Sequence, residues 1–539
     1  MKKILALVLA CVMLLSVLAA CNNTKPVETQ PKETKPTETK PAETQPQETE
    51  APGITFPLAE TLEVSVLYVN GNTSFPIADN EVWKYLQEQA NMKFDTLEMS
   101  GSDIKEKGTL LLSGGDYPQV LFKCNQLDLD KFGSDGLLVP LDDLIREYCP
   151  NLTALLDERN AWSTITSPDG HIYALPQVGN PQQDGGMISW INTRWLENVG
   201  MDMPTNKEEF YQVLKAFKEQ DANGNGDPND EIPWVPQAGS QIASIIGMIN
   251  IFGDAGQWMQ TYWVAQDDKM VYLPTTEYFK EEWIKYIKKL YDEGLMHPDS
   301  FTLKSADVNA ICKSGDDIVG IQYSSSTSRY SELGTWNEWA TIKPFNVENY
   351  VLQNGISTKA LAFTDKCDEE TVKILLAWVD QLYTEEGGWL PRIGIEGETF
   401  TLNADGTYTT FDDNYENYTY QCTLMGSASV PYKLPDLYLY GMSDPEELHT
   451  CKEIREEGYG PWAIGTIMPT LTYTEDETEE RSSLWTDINS YVRNYVAECV
   501  TGVIDVDATW AEFQATLDVM GVDRLTEITD GAYQRAMSN

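Results

Sequence analysis

Short β-rich runs and amphipathic helices take turns along this chain, and that alternation predicts a fold of the α/β class, with helices packed on sheets. Leu62-Glu-Val-Ser-Val-Leu-Tyr68 reads as a strand, and residues 81–89 as a helix with Val82 and Leu86 on one side. Residues 110–118 then lead through a glycine turn into a short buried strand at Gln119-Val-Leu-Phe122. The pattern repeats through 136–140, 141–148 and 151–156. From Ile54 to the end the chain is long enough for two lobes with separate cores.

What precedes Ile54 has a different character. Lys2-Lys3, an apolar stretch over residues 4–18 and small residues before Cys21 make an export signal over residues 1–20. The stretch is too short for a spanning helix, which needs about 20 apolar residues. Leu18-Ala-Ala-Cys21 resembles a bacterial lipobox, in which the cysteine sulfur is acylated and becomes the new N-terminus, outside the cell. The segment 21–53 follows, and from Glu28 it repeats in fives, ETQPK, ETKPT, ETKPA, ETQPQ. With no apolar face it has nothing to offset the entropy of folding, so it reads as an extended tether.

The chain carries 38 Lys+Arg against 84 Asp+Glu, a formal charge of −46. Signal and tether are balanced, so the whole deficit lies on the folded part, which argues against nucleic acid and against polyanionic ligands steered from a distance. Beyond the lipobox, cysteines 124, 149, 312, 367, 422, 451 and 499 form an odd set without metal-ligand spacing, and read as small buried hydrophobes. His171, His297 and His449 form no pair at helical spacing, which speaks against zinc chemistry.

Ser113-Gly-Gly-Asp-Tyr-Pro118, Gly136-Leu-Leu-Val-Pro-Leu-Asp-Asp143 and Asp169-Gly-His-Ile-Tyr-Ala-Leu-Pro176 resemble segments of the extracellular solute-binding proteins of family 1. The likeness continues through Asn192-Thr-Arg-Trp-Leu-Glu-Asn-Val-Gly200, Gly394-Ile-Glu-Gly-Glu-Thr-Phe400, Trp510 and Tyr533-Gln-Arg535, in family order. Within the family these segments look most like the large lipoproteins of Gram-positive bacteria that feed oligosaccharides to ABC importers. The resemblance implies a two-lobed, periplasmic-binding-protein-like (type II) fold with a hinge and an interlobe cleft. One lobe is expected from residues 54–175 and about 345–400, the other from 176–344 and about 401–539. Crossings are placed near 173–176 and 342–351. The partners implied are an oligosaccharide or another small polar solute, the permease subunits of an ABC transporter and, through the lipid, the membrane; the receptor is expected to be a monomer.

Asp221-Ala-Asn-Gly-Asn-Gly-Asp-Pro-Asn-Asp-Glu231 carries oxygen side chains at alternate positions, with Gly224 and Gly226 allowing a tight turn. Asp221, Asn223 and Asn225 are expected to converge on one Ca²⁺, with a backbone carbonyl from Asp227 and a closing carboxylate from Asp230 or Glu231. The loop departs from an EF-hand, because Ile232 rather than glutamate stands twelfth. A comparable loop in related alginate-oligosaccharide-binding proteins ends in Asp-Glu. The present one is a residue longer, which leaves Asn229 and the last ligand open. An Asn/Gly-rich turn without metal is the alternative.

Sugar recognition stacks flat rings on pyranose faces and bonds the hydroxyls through Asn, Asp, Glu and Arg. Trp190 and Asn192 follow the first crossing and a glycine-bearing loop at 182–186, where the family commonly lines its cleft. Tyr323 ends an apolar strand, the usual position of cleft residues. Arg194 serves either the ligand or an internal carboxylate. Trp389 and Arg392 precede a glycine turn, and for Trp389 core packing is favoured over ligand contact. Trp195, Trp283 and Trp510 fall in amphipathic helices and are assigned to packing. No nucleophile elbow, zinc-protease motif or phosphate-loop lysine is present, so the chain is expected to bind rather than to catalyse. A glycosidase using two of its many carboxylates is the rival reading.

Overall fold

In the computed structural model the described residues are 53–538, without 180–187, 237–244, 246–256, 259–261, 316, 325, 331–332, 344, 346–350, 354, 412–416, 426–429, 442–444, 454–465 and 469–470. The export signal, Cys21, the tether and the loop 182–186 lie outside them.

Among the described residues the strands are β1 (Leu62–Asn70), β2 (Met92–Ser100), β3 (Val120–Phe122), β4 (Ala174–Val178), β5 (Ile188–Asn192), β6 (Ile232–Val235), β7 (Gln257–Trp258) and β8 (Trp263–Gln266). They continue as β9 (Lys269–Tyr272), β10 (Val319–Ser324), β11 (Trp339–Thr341), β12 (Val351–Gln353), β13 (Ile356–Phe363), β14 (Phe400–Leu402), β15 (Tyr408–Thr410) and β16 (Thr466–Met468).

The first sheet has the order β2-β1-β3-β13-β4. β1 is parallel to β2 and β3, whereas β13 is antiparallel to both β3 and β4, so β1, β3 and β4 all run the same way. The period of two along β1 divides its side chains between two cores. Val64, Val66 and Tyr68 join one, and Leu67 and Val69 the other. Helix Glu81–Ala90 covers the first of these with Val82, Trp83, Leu86 and Ala90. Asn80 starts that helix by accepting the Trp83 N–H at 2.9 Å, a cap of about 1 kcal/mol. Beneath helix Pro150–Glu158 the buried Asp380 accepts the backbone N–H groups of Asn151 and Leu152 at 3.0 and 2.9 Å. Burial nevertheless pushes its carboxyl up to about 6.

The second sheet has the order β11-β5-β10-β6, with β5 antiparallel to both neighbours. Its core takes Trp195, Phe210, Phe217, Trp234 and Trp283, together with Val492, Trp510, Phe513 and Tyr533 from the last three helices, Glu475–Val500, Val506–Met520 and Val522–Ser538. Trp195, Trp283 and Trp510 are thus buried packing residues.

The chain leaves the first sheet along β4 and enters the second at β5; it returns between Ile342, in the second core, and Ile356, in the first. The boundary expected near 401 moves. Leu424, Val430, Tyr432 and Leu434 pack in the first core, so the first lobe keeps the chain to about residue 440. The reason is apolar: a strand-like segment pairs Lys433 with Val178 at the end of β4 and buries its neighbours there. Cys124, Cys149, Cys312, Cys367, Cys422 and Cys499 are buried and free, and burial pushes the Cys124 thiol up to about 12, as expected of small core hydrophobes.

Candidate functional site

The loop after helix Lys207–Glu219 turns tightly, with Gly224 and Gly226 at φ of 75° and 95°, where a side chain would be strained. Asn223 and Asn225 each accept a backbone N–H two residues on, at 3.0 and 2.8 Å, while their amides reach Asp230 at 3.2 and 2.7 Å. Asp221 accepts the Gly226 N–H at 3.0 Å and Glu231 that of Ala222 at 2.9 Å. Asp227 is exposed and its carboxylate is turned to Asn229. The second oxygens of both Asp221 and Glu231 are buried without a hydrogen-bond partner. Burial holds the Glu231 carboxyl above its usual range. Among the described residues no three His, Cys, Asp or Glu side chains are grouped to hold a metal. A cage here would need the asparagine oxygens as well, and the two orphaned carboxylate oxygens fit a cation that completes their coordination.

Arg194 ties this loop to the second sheet. Its guanidinium donates to the Asn223 carbonyl at 2.6 Å, to Glu338 at 2.8 Å and to Asp317. Asn192 is fully buried; it caps helix Thr193–Val199 through the Trp195 N–H at 3.2 Å and donates to Asp317 at 3.1 Å. Burial keeps the Asp317 carboxyl above its ordinary range despite Arg194. Of the two roles open to Arg194, the structure assigns the internal one.

Trp190 is placed in the core, which corrects the expectation that it lines a cleft. It is 0% exposed in β5, packed among Val235, Val308, Tyr330 and Trp339, and its indole N–H donates to the Ser324 carbonyl at 3.0 Å. No ring face is left for a sugar. Tyr323 is likewise buried in β10. Trp389 and Arg392 sit in the first lobe: Trp389 packs edge-on against Phe400, and the Arg392 guanidinium lies 3.8 Å from the Tyr438 ring centroid. The six residues expected to meet a ligand therefore gather at no common surface.

A cavity of about 440 Å³ opens elsewhere, between the lobes. The first lobe supplies Gln126, Asp128, Asp130 and Lys359; the second supplies Thr472 and Tyr473. A pocket of about 210 Å³ shares Asp128, Asp130 and Tyr473 with it. A register shift in β13 places Lys359 at φ 68°, from where its ammonium reaches Asp130 at 2.7 Å. Ser167 donates to the other Asp130 oxygen at 2.6 Å. The sequence signal for this lining was the Asn125-Gln-Leu-Asp-Leu-Asp130 segment that follows β3, because ligands settle beyond the carboxyl ends of parallel strands.

Comparison with known proteins places the fold. The family described as bacterial extracellular solute-binding protein matches residues 74–379. The fructooligosaccharide ABC transporter substrate-binding protein FusA of Streptococcus pneumoniae serotype 4 is 24% identical over 517 residues, 90% of this chain and 93% of that protein. A solved HMO binding, ABC-transporter associated solute binding protein from Bifidobacterium longum infantis superposes with a TM-score of 0.73 at 22% identity, over 88% of this chain and 99% of its own. The S. pneumoniae FusA EF-hand mutant in complex with fructo-nystose gives 0.64 at 20%, over 88% and 100%. The structural likeness establishes the two-lobed α/β fold. With two sheets in separate cores, a cavity between them and a family match over more than half its length, this chain belongs to the bacterial extracellular solute-binding protein family.

Proposed function

We propose that the protein is a receptor, lipid-anchored on the outer face of the cell membrane, that captures an oligosaccharide between its lobes and delivers it to an ABC importer without altering it. The observation that carries this reading is the interlobe cavity, whose amide, hydroxyl and carboxylate groups suit sugar hydroxyls. Lobe closure would desolvate such a ligand and hold it from both sides. The functions of two relatives, fructooligosaccharide and HMO binding, support the same class. A thermal-shift panel of oligosaccharides on the full chain tests it. A sugar at about a hundred times its Kd adds about 2.7 kcal/mol of stability and raises the Tm. A Tm raised by peptides and by no sugar overturns the reading.

Ca²⁺ completes the proposal as a structural ion held by Asp221, Asn223, Asn225, the Asp227 carbonyl and Asp230 or Glu231, with Arg194 fixing the loop from outside. The orphaned oxygens support it, as does a relative studied as an EF-hand mutant. Cys21 is the proposed anchor. Cys21→Ser is expected to move the protein from the detergent to the aqueous phase or to leave its signal uncleaved, because thioether acylation needs the sulfur; a variant cleaved and retained in detergent like the wild type removes the anchor.

A further inference from the structure

The second lobe meets the cavity through Thr472 and Tyr473, which lie in a stretch, 471–474, that belongs to neither helix nor strand. A stretch without a helix or sheet ladder keeps its place through side chains. At its end Thr474 starts helix Glu475–Val500. The Thr474 hydroxyl accepts the Glu477 N–H at 3.3 Å, while the Glu477 carboxylate accepts the Thr474 N–H at 2.9 Å.

Arg535, on helix Val522–Ser538, ties these pieces together. Its guanidinium donates to both oxygens of Glu477, at 3.0 and 2.5 Å, and to the Thr472 carbonyl at 3.2 Å. Arg481, one turn beyond Glu477, holds its guanidinium 4.6 Å from the Tyr473 ring centroid. The helix that carries Arg535 is itself fixed, because Tyr533 is 4% exposed in the second core. Arg535 lines neither cavity. With side chains 39% and 20% exposed, its ion pair with Glu477 adds little to global stability, so its consequence is where it puts Thr472 and Tyr473.

We propose that Arg535 is a positioning residue for ligand capture: it clasps Glu477 and the Thr472 carbonyl so that the second lobe's wall of the cleft stands in place before a ligand arrives. A planar guanidinium bonds two carboxylate oxygens and a carbonyl at once, a geometry that the ammonium of lysine does not offer. A wall ordered beforehand loses less freedom when a ligand binds. The Tyr533-Gln-Arg535 segment thereby acts on capture from outside the cavity. The positioning role rests on the oligosaccharide reading above.

Titration calorimetry and amide hydrogen exchange on the full chain test it, with kestose, raffinose, maltotriose and xylotriose as probes. Arg524 supplies the control, since it joins the same two helices but bonds Glu480, at 3.0 and 2.8 Å, and Glu527 rather than the cleft stretch. Arg535→Lys, and Glu477→Gln, which keeps an acceptor for the Thr474 N–H, are each expected to weaken the Kd about tenfold. Both are expected to speed exchange of the 472–478 amides in the free protein, and Arg524→Lys to change neither quantity. Wild-type affinity in either of the first two variants overturns the role and leaves the carbohydrate receptor standing. Equal weakening in Arg524→Lys makes the effect one of helix packing, and unchanged exchange at 472–478 separates it from the cleft wall; either result overturns the role. If no probe binds or stabilises the wild type, the oligosaccharide reading fails, and the positioning role with it.

Discussion

Trp190→Ala is expected to destabilise the protein by about 3–5 kcal/mol, the scale of a buried aromatic truncated in a packed core. Trp190 lies in β5, between β11 and β10, and is 0% exposed. Removing the indole leaves a void bounded by Val235, Val308, Tyr330 and Trp339 and strips the Ser324 carbonyl of its donor. Denaturant unfolding followed by far-UV circular dichroism reads the loss directly. A cleft tryptophan would behave in the opposite way, leaving the midpoint in place while weakening sugar affinity. An unchanged midpoint would return Trp190 to the ligand surface.

Removing calcium is expected to produce the second large effect. An ion that binds only the folded loop stabilises it by about 4 kcal/mol at a thousand times its Kd, so excess chelator should lower the Tm and added Ca²⁺ restore it. Asp221→Ala combined with Asn225→Ala should abolish the response, because it deletes two of the converging oxygens, one belonging to the carboxylate whose second oxygen is now orphaned. Differential scanning calorimetry with and without chelator checks this. Equal Tm values in the wild type would falsify the calcium assignment and leave an Asn/Gly turn held by its own hydrogen bonds.

Part of the cleft assignment was within reach of sequence, and part was not. The Asn125 to Asp130 segment follows a recognisable strand, and its place at the cavity follows from strand direction. Lys359 and Tyr473 line the same cavity although 114 positions separate them, and nothing local pairs them.

Alternation of helix and strand determined the α/β class, and the order of weak motifs determined the family, because both are properties of neighbouring residues. The oxygen spacing from Asp221 to Glu231 is local as well, and the loop forms where it was expected. Tertiary structure alone decided which aromatics face solvent. Ile188-Ser-Trp-Ile-Asn192 is buried at every position, as is Val319–Ser324, so period two offers no contrast between core and cleft, and Trp190 and Tyr323 carried no sign of their direction. Arg194 could be assigned only when Asp317 and Glu338, 123 and 144 residues away, came within hydrogen-bond reach. The cavity is likewise composite, joining Gln126 to Thr472 across both lobes. Long-range packing sets such contacts, and short-range pattern carries no information about them.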